Sequence, residues 1–298
     1  MTLNLSAKNT RNNNNTKKII SYPEFSSLLN SRLYGQKDFY VSLLENAIDH
    51  PFRYCGPFRL SSIKTKLLQN LIQSREIKFG ELIEEITTRY ISKLGYANYD
   101  KRLGKNDDGE VLIADQFFTD SNTLFLTERK VRDDHDSTKK RGQYQNFREK
   151  VKLIKEKHPH AHINASRWFV DGLSMKNRKF YLGERQKSLK GLTNVSLHLY
   201  YGSEYFDSLK NGHGVWKELV GHLAKYKLAH VNADTMEIPD LGTSNEIYEA
   251  LISLPQTYWN KLTSNKHDYV QLRNELFSSG DNLLKATLKR AEQTCWQE

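Results

Sequence analysis

Asp115 is followed, after a spacer of twelve residues, by Glu128-Arg129-Lys130. Two carboxylates and an ammonium act jointly only if the chain brings them together, and the residues between them suggest how it does so. Residues 111–118 and 124–131 are strand-length runs around the turn-rich Thr119-Asp120-Ser121-Asn122-Thr123, the pattern of a β-hairpin. With Ser121-Asn122 as a two-residue turn, Asp115 falls opposite Glu128. Side chains alternate along a strand, so Glu128 and Lys130 share one face and Arg129 takes the other. A slip of one residue would separate Asp115 from Glu128, so the grouping depends on that register.

Like charges held this close cannot both ionise cheaply without a compensating cation. Mg²⁺ suits the pair, because it takes oxygen ligands, keeps several waters and commonly bridges to substrate phosphate. A lysine beside a metal-bound water can orient it and stabilise the charge that develops on a phosphorane. The residue types therefore point to phosphodiester hydrolysis.

The flanking pattern supplies elements that could hold such a hairpin. Phe79, Ile83, Ile86, Tyr90 and Leu94 recur at spacings of three and four, which predicts a helix over 79–94 ended by Gly95. Upstream, 19–73 is mostly helical in pattern, broken at 49–57 by two prolines and Gly56. Residues 101–110 read as a polar loop, and 133–157 as a polar stretch with a helical tail in which Phe147, Val151 and Ile154 share a face. Strands are expected at 162–170 and at 195–201, where Val195, Leu197, Leu199 and Tyr201 alternate. Helices follow at 204–209, at 215–226 and through much of 245–292. This order predicts an α/β fold, a mixed sheet with helices packed on it, and not a doubly wound nucleotide fold. The corresponding division is an Asn-rich tail at 1–17, an N-terminal helical region at 18–75, a core at 76–230 and a C-terminal helical region at 231–298.

Charge names the class of partner. The 45 Lys and Arg outnumber 35 Asp and Glu, for a net charge of +10, and a pI near 9.3 favours a polyanion. Lys139-Lys140-Arg141 could grip phosphates, while Arg129, Arg132 and Arg141 beside Gln143, Gln145 and Asn146 could reach base edges. Mean hydropathy of −0.71 argues against a membrane span. Cys55 and Cys295 are too few for a disulfide framework or a four-thiolate zinc site. His158, His160 and His162, with His135 nearby, alternate in a way that could bind zinc, although a polar loop entering a strand explains them too. Glu76-Ile77-Lys78 repeats the acidic-x-Lys spacing without a hairpin partner and reads as a solvated charge run.

Ala114-Asp115 with Glu128-Arg129-Lys130 resembles the signature of the PD-(D/E)XK nucleases, with Ala where that family weakly keeps Pro. Gly80, Glu84 and Gly95, with Ile91 between, are similar to its preceding helix, and Thr87 departs from the small apolar residue usual there. Gln143 with Phe147 resembles its following helix, and 167–170 and 197–206 its later core elements, so the likeness spans about 79–210. Within the family, the texture of 115–143 resembles Type II restriction endonucleases.

The resemblance implies a restriction-endonuclease-like mixed sheet with helical N- and C-terminal extensions. It implies Mg²⁺ on Asp115 and Glu128, with the Arg129 carbonyl as a further ligand, and Lys130 positioning the attacking water. Glu84 becomes an outer ligand or second-metal contact, with Glu85 at the other edge of the stripe as the alternative, and Gln143 orients the phosphate. Site-specific cutting of double-stranded DNA to 5′-phosphate and 3′-hydroxyl ends is expected, by a homodimer with a cognate DNA methyltransferase as genetic partner, in the bacterial cytoplasm. The rival readings are a repair, junction or transposition nuclease of the same fold, and a non-catalytic basic DNA-binding module.

Overall fold

The computed structural model describes residues 18–33, 39–188, 193–230 and 238–295, so the expected tail at 1–17 lies outside the described residues. The elements run α1 (Tyr22–Leu33), α2 (Phe39–Asp49), α3 (Ile63–Lys93), β1 (Ala97–Asn98), β2 (Arg102–Lys105), β3 (Val111–Ile113), β4 (Gln116–Thr119), β5 (Thr123–Lys130), α4 (Ser137–Lys157), β6 (His162–Phe169), α5 (Arg178–Ser188), β7 (Val195–Tyr201), α6 (Glu204–Asp207), α7 (Val215–His230), α8 (Asn245–Ser253), α9 (Gln256–Thr263), α10 (His267–Leu276) and α11 (Asn282–Cys295). No helix among the described residues is long and apolar enough to cross a membrane. The described residues fall into two compact units, one within 18–25 and 88–222 and the other within 26–87 and 223–295.

The first unit carries a mixed sheet in the order β1-β4-β5-β6-β7. Strand β4 is antiparallel to β1 and β5, whereas β5, β6 and β7 run parallel. One sheet face buries Leu124, Leu126, Ile163, Ala165, Val195 and Leu197 under Tyr144, Phe147, Val151 and Ile154 of α4 and Tyr181 of α5. Leu126 is fully buried there, so truncation to Ala should cost about 2–5 kcal/mol. The other face is aromatic: Phe118 stacks on Phe125 at 4.9 Å, and Trp168 stacks on Tyr205 of α6 at 4.4 Å. Between them, Thr127 and Ser166 share a hydroxyl hydrogen bond of 2.9 Å.

The β4–β5 register is the expected one, pairing Gln116 with Thr127 through Thr119 with Leu124. Asp120 fixes the turn, its Oδ1 accepting the backbone N–H groups of Asn122 and Thr123 at 3.0 and 2.8 Å. Ser121 takes the left-handed conformation there, φ 80°. The expected single strand over 111–118 is instead two. Val111–Ile113 pairs with Arg102–Lys105 in a separate ribbon, so the expected polar loop at 101–110 contains β2. The chain changes sheets at Ala114-Asp115, where the Ala114 N–H still bonds the Lys101 carbonyl at 2.8 Å. Leu103 and Leu112 bury their side chains in the same core, which is why so polar a segment holds strand structure.

The helix expected over 79–94 begins earlier, at Ile63, and takes in Glu76-Ile77-Lys78. It ends as expected at Gly95, whose φ of 96° lets the Tyr96 N–H reach back to the Ile91 carbonyl. Helix α5 had no clear sequence signal, because Tyr181 is its only buried bulky residue. In the second unit, the two helical flanks of the sequence share one core. Leu44, Ile48 and Leu67 from one flank meet Ile247, Leu251, Leu262 and Leu272 from the other.

Candidate active site

Strand β5 is the base of the site. Its residues alternate between the two sheet faces, which sends Leu124, Leu126, Glu128 and Lys130 toward α4 and Phe125, Thr127 and Arg129 toward α6. Asp115 stands one step before β4, opposite Glu128 if the paired register is continued. Its Oδ2 accepts the backbone N–H of Arg129 at 2.7 Å, which pins this carboxylate to the far end of β5.

Glu128 Oε1 accepts a hydrogen bond of 2.7 Å from Lys150 Nζ, in an ion pair whose side chains are 11% and 7% exposed. Burial pushes the Glu128 carboxyl above its usual range, the charge of Asp115 pushes it the same way, and Lys150 and Arg167 oppose both. Lys130 lies half-buried on the same face, and its ammonium forms no hydrogen bond or ion pair with a described residue.

Across the parallel register, Arg167 of β6 pairs with Glu128. Its guanidinium lies 4.9 Å from the ring centre of Tyr181, and Nη1 donates to the Gln143 carbonyl at 3.1 Å. Nη2 reaches Gln143 Oε1 at 3.4 Å, so the glutamine of α4 is tied to the site through this arginine. The start of α4 is set by Asp136, whose side chain accepts the Lys139 N–H at 2.8 Å.

The expected DNA-contacting residues divide. Arg132, Lys139, Arg141 and Gln145 are exposed, and Asn146 is half-buried. Arg141 and Gln145 line a cleft of about 390 Å³ with Gly142, Tyr144, Arg148, Phe180 and Glu184. Lys140 instead donates to Asn177 Oδ1 at 3.0 Å and lies 5.0 Å from the ring centre of Phe180. Arg129 is only 7% exposed. Glu84 belongs to the second unit, on α3. Beside it, Glu85 pairs with Arg32 at 2.9 Å.

The donor set suits a hard cation. Two carboxylates with oxygen ligands to offer are what a Mg²⁺-type ion needs from a protein, since it keeps waters and shares phosphate oxygens. Among the described residues no group of three His, Cys, Asp or Glu side chains gathers for a metal. That leaves Asp115 and Glu128 as the pair to test.

Lys150 and Arg167 had no part in the expectations from sequence. Arg167 was visible only as part of a strand. Lys150 left a faint trace, since it falls on the stripe of Phe147, Val151 and Ile154, where a charged residue is out of place.

Residues 96–227 match the family model of the Type II restriction endonuclease HinfI. A search of curated proteins found no match to the chain.

Proposed function

The segment 96–227 is a Type II restriction endonuclease domain of the HinfI family, a site-specific deoxyribonuclease, and from that premise we propose that Asp115, Glu128 and Lys130 form its catalytic centre. The observation that carries this reading is the meeting of Asp115 with the end of β5. One carboxylate is bound to the Arg129 N–H while Glu128 and Lys130 leave the strand on a common face.

Type II restriction endonucleases generally use divalent metal ions. Asp115 and Glu128 would hold such an ion, with the Arg129 carbonyl as a third oxygen, and Mg²⁺ matches these donors. Bound there, the ion supplies Lewis acidity and a water of lowered pKa. Lys130, with no hydrogen-bond or ion-pair partner among the described residues, donates a hydrogen bond to the attacking water and meets the charge that builds on the phosphorus oxygens. Gln143, braced by Arg167, orients the scissile phosphate. Arg132, Lys139 and Arg141 grip neighbouring phosphates, and Gln145 and Asn146 read base edges. The water oxygen forms the new bond to phosphorus and gives up its proton to solvent. The bond to the 3′ oxygen breaks, and that oxygen takes a proton from solvent to leave as a 3′-hydroxyl, with the phosphate remaining on the 5′ end.

Cutting both strands in one event needs two such centres, which a two-fold homodimer on a symmetric site provides. A cognate methyltransferase would protect the host's own DNA. The test is digestion of unmethylated phage-length duplex with Mg²⁺ or EDTA, beside Glu128→Ala. Discrete fragments that require both Mg²⁺ and Glu128 are expected. Equal cleavage by the variant would overturn the site, and a smear would overturn site specificity.

A further inference from the structure

The most unusual charged group near the site is Lys150. Its neighbours on α4 reach solvent, as Lys152 does with a side chain 61% exposed. Lys150 points inward at 7% exposure, on the stripe that otherwise presents Phe147, Val151 and Ile154 to the sheet. Burying an ammonium is expensive unless a charged partner meets it, and the partner here is Glu128 at 2.7 Å. The two site carboxylates are thus unequal. Asp115 accepts a neutral backbone N–H, whereas Glu128 has a full cation against it. The two lysines are unequal as well, one committed to Glu128 and the other, Lys130, without a hydrogen-bond or ion-pair partner among the described residues.

Resting on the active-site assignment above, we propose that Lys150 is a resident counter-cation, a positioning residue that holds Glu128 aimed into the site before a divalent ion arrives and sets how tightly that ion is taken. An incoming ion must share Glu128 with a positive charge already in place, so its affinity is held down by like-charge repulsion. In return, the metal-free site presents one net negative charge from this trio instead of two. A duplex phosphate therefore approaches at a smaller electrostatic cost, and DNA can dock ahead of the metal.

The experiment uses the full chain, with Mn²⁺ alone as the probe, and compares wild type, Lys150→Met, Glu128→Gln and the double variant. Thermal midpoints are measured in EDTA and in Mn²⁺, and Mn²⁺ affinity by calorimetry. Each single variant should lower the midpoint in EDTA by several degrees, because each strands one buried charge, and the double variant should recover most of that loss. Mn²⁺ should raise the midpoint of Lys150→Met more than that of wild type, with affinity tighter by at least about tenfold. Losses that add in the double variant, or a Lys150→Met deficit that Mn²⁺ leaves untouched, would reduce Lys150 to ordinary packing and overturn the proposal. Wild type that takes up no Mn²⁺ would overturn the metal-site assignment and with it the affinity-setting role, while the EDTA comparison would still decide the pairing with Glu128.

Discussion

Two acidic side chains near the end of β5 sit in contrasting surroundings. Asp133, fully buried, is filled by neutral donors: the Asn177 N–H at 2.8 Å, the Asn177 amide at 2.9 Å and the Tyr201 hydroxyl at 2.9 Å. Those bonds tie the chain leaving β5 to the approach of α5 and the end of β7. Burial and the neighbouring Asp133 push the Tyr201 hydroxyl far above its usual pKa, so it stays a donor. Glu128 keeps a sliver of exposure, one cation and a like-charged neighbour, and burial raises its carboxyl. A carboxylate that accepts three fixed neutral donors braces a fold. One left short of donors beside a second carboxylate is equipped to take a ligand. The two environments differ in satisfaction more than in depth.

The contrast can be broken experimentally. Lys130→Ala should lower cleavage by roughly 10²–10⁴-fold, the range for losing a positioned catalytic group. Its urea unfolding should stay within about 0.5 kcal/mol of wild type, since no hydrogen bond or ion pair with a described residue is lost. A large loss of stability would move Lys130 out of the chemistry and into the scaffold. Asp133→Ala should do the reverse. Three buried donors lose their acceptor, for a cost of about 3 kcal/mol or more in equilibrium unfolding. Cleavage per folded molecule at low temperature should survive, and its loss would mean that Asp133 acts in the reaction. Tyr201→Phe removes one of those donors and should cost about 1 kcal/mol by the same measurement.

The smallest effect belongs to a half-buried carboxylate in the second unit. Asp240 is held down to about 2 by hydrogen bonds from Lys64 first, then Thr243 and the Gly242 N–H. Its pKa is depressed relative to the unfolded chain, so its contribution is complete above about pH 4 and fades as pH falls toward 2. Asp240→Asn should flatten only that part of the stability–pH curve, and a change near neutral pH would contradict the assignment.

Much of the site was legible from local pattern. Alternation along 124–131, with Ser121-Asn122 as a two-residue turn, was enough to set Asp115 opposite Glu128, because hairpin register follows from turn length and side-chain period. The end of α3 at Gly95 was similarly local. What escaped depended on distant partners. The segment 101–110 looks like loop because its strand is stabilised by pairing with 111–113 and by burying Leu103. Among the several lysines of α4, nothing local separates Lys150, which meets Glu128, from Lys152, which meets Asp107. Arg167 becomes part of the site only through its register with Glu128.

By itself, then, the sequence determined the hairpin, its register, the helix stops and the basic charge, all consequences of interactions within a few residues along the chain. The tertiary structure decided which charges are buried, which are paired and which remain available. It also decided that two terminal flanks share one core. The physical reason is that desolvation and ion pairing depend on what crosses over a side chain in space. The crossing of α4 over β5 and β6 turns one lysine out of many, and one arginine, into partners of the site.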